Sequence, residues 1–196
     1  MNPQTFIFIG RSGCGKGTQA DLLTKHLCEH DKLCKTLHIE TGAFLREFVK
    51  GDSYTQKLSK KILDEGALMP ESVMVALWEN YLFDNYTGKE NLIFDGAPRK
   101  LHEAQLLDSA LKFYDIKKPS IIYMNVSREW SEKRLLGRAR KDDKLEVIER
   151  RLAWFNSEVI PTINFYKNNP DYNFLDINGE QTIEEVNKEI IAKLKI

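Results

Sequence analysis

The sequence predicts an α/β protein built on a doubly wound, five-stranded parallel sheet with helices on both faces. Two observations predict this fold: short apolar runs alternate with longer amphipathic segments, and a glycine-rich turn joins the first apolar run to the first helical pattern. Strands separated by helices form parallel sheets whose two faces are both covered. A chain of 196 residues fits a single domain, 1–196.

Each predicted element rests on a local pattern. Apolar runs of strand length are bounded by polar or turn residues, and the segments between them place apolar residues on one helical face. Pro161 is expected to break or kink the last long helical pattern, because proline lacks the N–H that a helix interior requires. The predicted strands are 5–10, 35–39, 91–95, 120–126 and 172–177, and the predicted helices are about 15–29, 42–50, 54–65, 71–84, 100–113, 128–137, 144–167 and 182–194.

Residues 41–70 and 138–143 depart from this alternation. The first segment has helical patterns without an intervening strand, and the second is a charged turn between two helices. Ligands of doubly wound sheets collect at the carboxyl ends of the strands. Both segments are therefore expected to move over a ligand bound there.

The composition excludes several functional classes. Acidic and basic residues balance at 29 each, which argues against a general binder of nucleic acid or of membrane surfaces. No apolar run approaches the roughly 18 residues that cross a membrane, and the first run is too short for a signal peptide. The three cysteines are odd in number and lack metal-ligand spacing, so we expect a cytoplasmic protein without structural zinc.

The most informative motif is GRSGCGKGT at residues 10–18, which follows the first apolar run directly and precedes a helical pattern. Glycines let the backbone fold around an anion and aim its N–H groups inward, and the helix N-terminus adds partial positive charge. Lys16 supplies a compact charge that reaches terminal phosphates. The motif therefore predicts a site for a nucleotide's phosphates.

Two further parts of a phosphoryl-transfer site follow from position. Asp95 ends an apolar run and is expected to face the phosphates, where Thr18 and Asp95 would hold Mg²⁺, directly or through water. The planar guanidinium group of arginine presents paired N–H donors that can bind two oxygens of one phosphate. Arg134 alone is closest to an ordinary solvated helix residue. The candidate arginines are Arg46, Arg99, Arg134, Arg138, Arg140 and Arg151.

The motifs together resemble the adenylate kinase family of nucleoside monophosphate kinases. The first is GKGTQ at 15–19, in which glycine follows the lysine and the hydroxyl comes one residue later. Six more segments resemble family motifs in the same order. They are TGAFLR at 41–46, GALMP at 66–70, DGAPR at 95–99, KRLLGR at 133–138, DD at 142–143 with ERRL at 149–152, and NG at 178–179.

The resemblance implies a P-loop NTPase-like sheet with a helical insertion for the acceptor monophosphate at about 41–70 and a very short lid at about 138–143. It implies that the catalytic residues are Lys16, Arg99, Arg138, Arg140 and Arg151. It implies ATP binding by Gly10, Ser12, Gly13, Cys14, Gly15, Lys16, Gly17, Thr18, Arg138 and Gly179. It implies acceptor binding by Thr41, Gly42, Arg46, Gly66, Met69, Gly96, Arg99 and Glu103.

Glu103 is the departure that matters, because adenylate kinases carry a glutamine at this position. A glutamine amide can accept a hydrogen bond from adenine N6–H and donate one to adenine N1. An ionised Glu103 can only accept, which suits an edge with two donors, such as that of guanine. The other interpretation of Glu103 is a solvated acid on a helix face. Thr41, in contrast, matches adenylate kinases.

We expect a monomer that transfers the γ-phosphoryl of MgATP to AMP and forms two ADP. The alternatives are another acceptor (GMP, CMP or UMP) and a catalytically weak nucleotide-binding sensor. Cys14 also has two interpretations. It is either a reactive thiol whose alkylation blocks ATP, because Lys16 and a helix N-terminus lie nearby, or a small filler residue.

Overall fold

A parallel sheet of five strands organises the chain. The computed structural model describes residues 3–29, 34–137 and 144–196. The strands lie in the order β2–β3–β1–β4–β5, and every neighbouring pair is parallel. The strands are Thr5–Gly10 (β1), Thr36–Glu40 (β2), Asn91–Asp95 (β3), Ser120–Asn125 (β4) and Asn173–Asn178 (β5).

Helices cover both faces of this sheet. One face packs on the first and last helices, and the other packs on helices from the middle of the chain and from residues 155–167. The helices are Lys16–Glu29 (α1), Thr41–Phe48 (α2), Tyr54–Asp64 (α3), Glu71–Asn85 (α4), Leu101–Phe113 (α5), Arg128–Gly137 (α6), Leu145–Trp154 (α7), Ile160–Lys167 (α8) and Ile183–Leu194 (α9), with a π-helical turn at Phe155–Val159.

The central strand β1 shows how the two cores form. Phe6 and Phe8 point into the core beneath α1 and α9, whereas Ile7 and Ile9 point into the core beneath α4, α5 and α8. Successive side chains of a strand face opposite sides of the sheet, so an unbroken apolar run supplies both cores. Helix α1 follows β1 and packs on one face of the sheet, whereas α5 follows β3 and packs on the other face. A crevice therefore opens between them at the carboxyl ends of β1 and β3.

All five predicted strands are present, with shifts at their ends. The predicted strand 35–39 runs from Thr36 to Glu40, because Glu40 still pairs with Asp95 of β3 beyond the last apolar residue. The fourth strand ends one residue earlier than predicted, and the fifth is displaced by one residue. These shifts reflect backbone pairing, which apolar patterning follows only approximately.

The predicted helix 144–167 is interrupted before Pro161, as expected. Helix α7 ends at Trp154, a π-helical turn follows, and α8 carries Pro161 in its first turn. The N–H of Ile160 donates to the carbonyl of Phe155, five residues back. Such turns relieve a helix in which proline removes a regular hydrogen bond.

The segment 41–70 contains helices α2 and α3 without a strand, as expected. Leu45 and Met69 pack with Met74 of α4 in a small apolar cluster, which anchors the segment beside the sheet. The predicted lid 138–143 lies outside the described residues. Within the described ranges, no helix is both long enough and apolar enough to cross a membrane.

Candidate active site

The glycine-rich loop lies between β1 and α1 at the carboxyl edge of the sheet. The ammonium of Lys16 donates to the carbonyl of Gly10 at 3.0 Å and to that of Arg11 at 2.8 Å. Gly13 has a φ of +82°, and a Cβ there would lie 2.8 Å from Leu135. Only glycine therefore lets the loop take this shape and pack this closely on α6.

Asp95 lies at the end of β3, beside the start of α1. Its side chain is 8% exposed; burial raises the pKa of Asp95, and the ammonium of Lys16 opposes that rise. A Cβ on Gly17 would lie 3.1 Å from the Asp95 carboxylate, so a side chain there would crowd that group. The hydroxyl of Thr41 donates to the backbone carbonyl of Asp95 at 3.2 Å and fixes the neighbouring strand end.

Arginines gather on the opposite wall. The side chain of Arg46 donates to Glu40 at 2.8 Å, and Nε of Arg99 donates to the carbonyl of Gly96 at 2.8 Å. Burial lowers the pKa of Arg99, while Glu103 opposes that change and the positive charges of Arg151 and Arg46 add to it. The effect of Arg151 and Arg46 on the pKa of Arg99 shows that these three cations lie close together. Several cations around one cavity are suited to binding phosphate oxygens.

Glu103 is buried at the start of α5, with 4% of its surface exposed. Its Oε2 accepts the backbone N–H of Arg99 at 2.7 Å and, at 3.5 Å, that of Lys100. Burial raises the pKa of Glu103, and these two backbone hydrogen bonds together with the positive charge of Arg99 oppose the rise. The interpretation of Glu103 as a solvated acid is therefore wrong: it is a buried helix-capping carboxyl group.

A single cavity of about 390 Å³ joins these parts. Its lining also includes the apolar residues Leu45, Leu63, Met74 and Val159. The predicted site residues that line the cavity are Gly10, Ser12, Gly13, Gly15, Lys16, Gly17, Thr18, Thr41, Gly42, Arg46, Gly66, Met69, Asp95, Gly96, Arg99, Glu103 and Arg151.

Some predicted residues do not contribute to this lining. Cys14 is buried beneath the loop, where its Sγ lies 3.5 Å from the Lys16 ammonium. Gly179 lies after β5, and its N–H donates to the carbonyl of Asn125 at 2.9 Å. Arg138 and Arg140 fall outside the described residues. ATP binding by Cys14, Arg138 and Gly179 and the catalytic roles of Arg138 and Arg140 stay predictions, as do the roles of the residues that line the cavity.

Two further residues line the cavity: Arg134, the weakest of the candidate arginines, and Trp154, to which the sequence assigned no role in the site. Arg134 lines the cavity, with its guanidinium carbon 5.7 Å from the ring centre of Trp130; it is also exposed to solvent, as expected of an ordinary helix residue, and a role in phosphate binding stays a prediction. Trp154 also lines the cavity; its ring centre lies 5.6 Å from the Arg99 guanidinium carbon. The spacing of Arg151 and Trp154 by three residues places both on one helical face, a signal that was available from the sequence.

A phosphate loop and an arginine wall around one cavity define the site as that of a nucleotide-binding phosphotransferase. A family profile described as adenylate kinase matches residues 8–170. Adenylate kinase 1 of Nostoc sp. is 35% identical over 188 residues, which cover 96% of this chain and 97% of that protein. The adenylate kinase of Leptospira biflexa is 33% identical over 192 residues, 96% of this chain and 98% of that protein.

A third relative, the adenylate kinase of Prochlorococcus marinus, is 33% identical over 184 residues, which cover 94% of each chain. The matches extend over nearly the whole chain. This protein therefore belongs to the adenylate kinase family, which confirms the resemblance seen in its motifs.

Replacing Glu103 by glutamine tests the burial of its charge. Because the pKa of Glu103 is raised in the folded protein, the folded state retains a proton that the unfolded state has lost, and stability falls as the pH rises through that range. The neutral amide of Glu103→Gln avoids this loss and still accepts the two backbone N–H groups. We expect the variant to be more stable than the wild type at neutral pH, with the difference shrinking as the medium becomes acidic.

Urea unfolding between about pH 4 and pH 8 measures this difference. Glu184→Gln, which changes an exposed acid in the first turn of α9, is the control and should keep the wild-type pH profile. A Glu103→Gln profile parallel to that of the wild type would contradict the assignment of Glu103 as a buried carboxyl group with a raised pKa.

Proposed function

We propose that this protein transfers the γ-phosphoryl group of ATP to AMP and forms two molecules of ADP. The observation that carries this proposal is the single cavity whose lining includes both Lys16 of the phosphate loop and the three arginines 46, 99 and 151. Such a cavity can hold a donor and an acceptor phosphate in contact, which is the main requirement of phosphoryl transfer. The names of the relatives support the same reaction.

The family resemblance suggests a role for each of these cations, and their shared cavity supports it. Lys16 would keep its hydrogen bond to the carbonyl of Arg11 and exchange that to the carbonyl of Gly10 for the terminal phosphates of ATP. Arg46 and Arg99 would hold the phosphate of AMP, and Arg151 would neutralise the charge that spreads over the transferring group. Arg138 and Arg140, from the predicted lid, are proposed to assist Arg151.

The reaction needs no general base from the protein. An oxygen of the AMP phosphate attacks the γ-phosphorus of ATP and forms a new P–O bond, while the bond from that phosphorus to the bridging oxygen breaks. The electron pair of the broken bond remains on the β-phosphate of the ADP that leaves. Since the attacking oxygen is already ionised, positioning and charge neutralisation by the cationic wall are the protein's contribution.

The oxygen donors beside the loop fit Mg²⁺ bound together with ATP. The carboxylate of Asp95 lies against the first turn of α1, and Thr18 lines the same cavity. Mg²⁺ prefers oxygen ligands and retains several waters, so two protein groups suffice. Asp95 and Thr18 would hold the ion, which supplies further neutralisation of the phosphates when bound.

Contacts between α7 and the segment 41–70, which is proposed to bind the acceptor AMP, would exclude water from the cavity. Arg150 donates to the carbonyl of Glu65 at 3.0 Å, and the indole N–H of Trp154 donates to that of Gly66 at 3.4 Å. A dry cavity strengthens the electrostatic contacts and protects ATP from hydrolysis. The segment 41–70 and the predicted lid 138–143 are proposed to close over the substrates in this way.

Glu103 is proposed to select adenine in its neutral form. Both backbone N–H groups donate to Oε2, so the helix cap does not use Oε1. A protonated Oε1 donates a hydrogen bond, which adenine N1 can accept, whereas N1 of guanine carries a hydrogen of its own. Burial, which raises the pKa of Glu103, favours this neutral form and therefore AMP over GMP.

The acceptor preference tests this assignment. We expect ADP formation from MgATP to be fastest with AMP, and much slower with GMP, CMP and UMP, when the four are assayed in parallel. The variant Glu103→Gln should retain AMP as acceptor, because its amide also donates to N1, while Glu103→Leu should raise the KM for AMP by roughly tenfold. A preference for GMP would contradict the neutral form of Glu103. Tight nucleotide binding without turnover would instead identify a sensor.

Lys16→Met tests the transfer mechanism. We expect kcat to fall by at least roughly a hundredfold, because an ammonium that meets the developing charge is lost. Lys25→Met on the same helix, where the lysine is exposed, is the matched control and should keep wild-type turnover. Near-normal activity of Lys16→Met, with both variants folded by circular dichroism, would refute the mechanism.

The compartment and the assembly state are also part of the proposal. We infer a cytoplasmic monomer, in keeping with an odd number of cysteines and a balanced overall charge.

A further inference from the structure

The side chain of Arg11 ties the phosphate loop to two distant parts of the chain. Its guanidinium carbon lies 3.9 Å from the ring centre of Phe155 in the π-helical turn. Its Nε donates to the carbonyl of Val126, which follows β4, at 3.2 Å, and its Nη2 donates to the side chain of Asn156 at 3.5 Å. A planar cation held by a ring face and two oxygens is fixed in both position and orientation.

The backbone of the same residue holds the Lys16 side chain. The carbonyl of Arg11 accepts the Lys16 ammonium at 2.8 Å and also accepts the N–H of Cys14 at 3.3 Å. The side-chain contacts of Arg11 therefore restrain the peptide group from which the lysine reaches toward the phosphates. A glycine-rich loop has little other means of fixing that group, because glycine side chains make no contacts.

The aromatic partner of Arg11 lies next to the acceptor site. Phe155 is buried, with 1% of its surface exposed, and the residue before it is Trp154. The Trp154 indole donates to the carbonyl of Gly66 at 3.4 Å, and its ring centre lies 5.6 Å from the Arg99 guanidinium carbon. Phe155 thus contacts Arg11 of the phosphate loop, and the preceding residue, Trp154, contacts Arg99 of the proposed AMP site.

We propose that Arg11 is a positioning residue that, through its contact with Phe155, fixes the Lys16 ammonium relative to the arginines of the acceptor site. This inference rests on the proposed function, since it concerns the alignment of ATP with AMP. Arg11 acts through Lys16 and Phe155. Small displacements of reacting groups lower the rate of transfer more than they weaken binding.

A double-mutant cycle tests this proposal. The variants are Arg11→Ala, Phe155→Leu and the combination of the two, and each is assayed for kcat and for the KM of ATP and of AMP. We expect each single variant to lower kcat roughly tenfold while both KM values change by less than about threefold, because the contact is used in alignment. The double variant should be no slower than the slower single variant, since both remove the same contact.

Controls separate positioning from general destabilisation. Thermal unfolding of each variant sets an assay temperature at which all are folded, and Lys25→Ala, an exposed change on α1, should keep wild-type kinetics. A kcat for Arg11→Ala within twofold of the wild type would overturn the inference, and so would effects of the two single variants that multiply in the double variant. A wild-type protein that forms no ADP from ATP and AMP would overturn the proposed function instead.

Discussion

An excess of positive charge in one cavity is the interaction on which the rest of this site depends. Among the described residues, five cationic side chains line the cavity against three carboxyl groups, although the chain as a whole has no net charge. Partial burial of these groups strengthens their fields, because water screens them less. The cavity is therefore matched to a pair of polyanionic substrates, and the zero net charge of the whole chain keeps this attraction local.

The sheet makes this concentration of charge possible. Parallel strands bring Lys16, Asp95 and Thr41 to one edge, although they come from distant parts of the chain. The interrupted helix supplies further residues to the site. Helix α7 carries Arg151 and Trp154, which line the cavity, and the π-helical turn after it carries Phe155, whose ring packs against the guanidinium of Arg11. Donor and acceptor walls are thus joined by packing as well as by the sheet.

The sequence alone predicted those features whose chemistry is local. The phosphate loop, the aspartate that ends β3 and the break at Pro161 each follow from spacing and from the needs of a backbone hydrogen bond. Glu103 was different: its burial depends on how α5 meets the arginine wall, and no periodicity reports that its carboxyl group caps backbone N–H groups. Trp154 could have been found from its three-residue spacing to Arg151 on one helix face, whereas Arg134 reaches the cavity because α6 packs against the phosphate loop, which the pattern of a single helix does not specify.

The claim that one cavity holds both substrates for direct transfer has a direct kinetic test. Initial rates of ADP formation, measured over a matrix of MgATP and AMP concentrations, should give double-reciprocal lines that intersect, because both substrates must be bound before any bond changes. Parallel lines, together with γ-phosphate label that remains on the protein after incubation with ATP alone, would indicate a phosphorylated enzyme intermediate and would contradict this account.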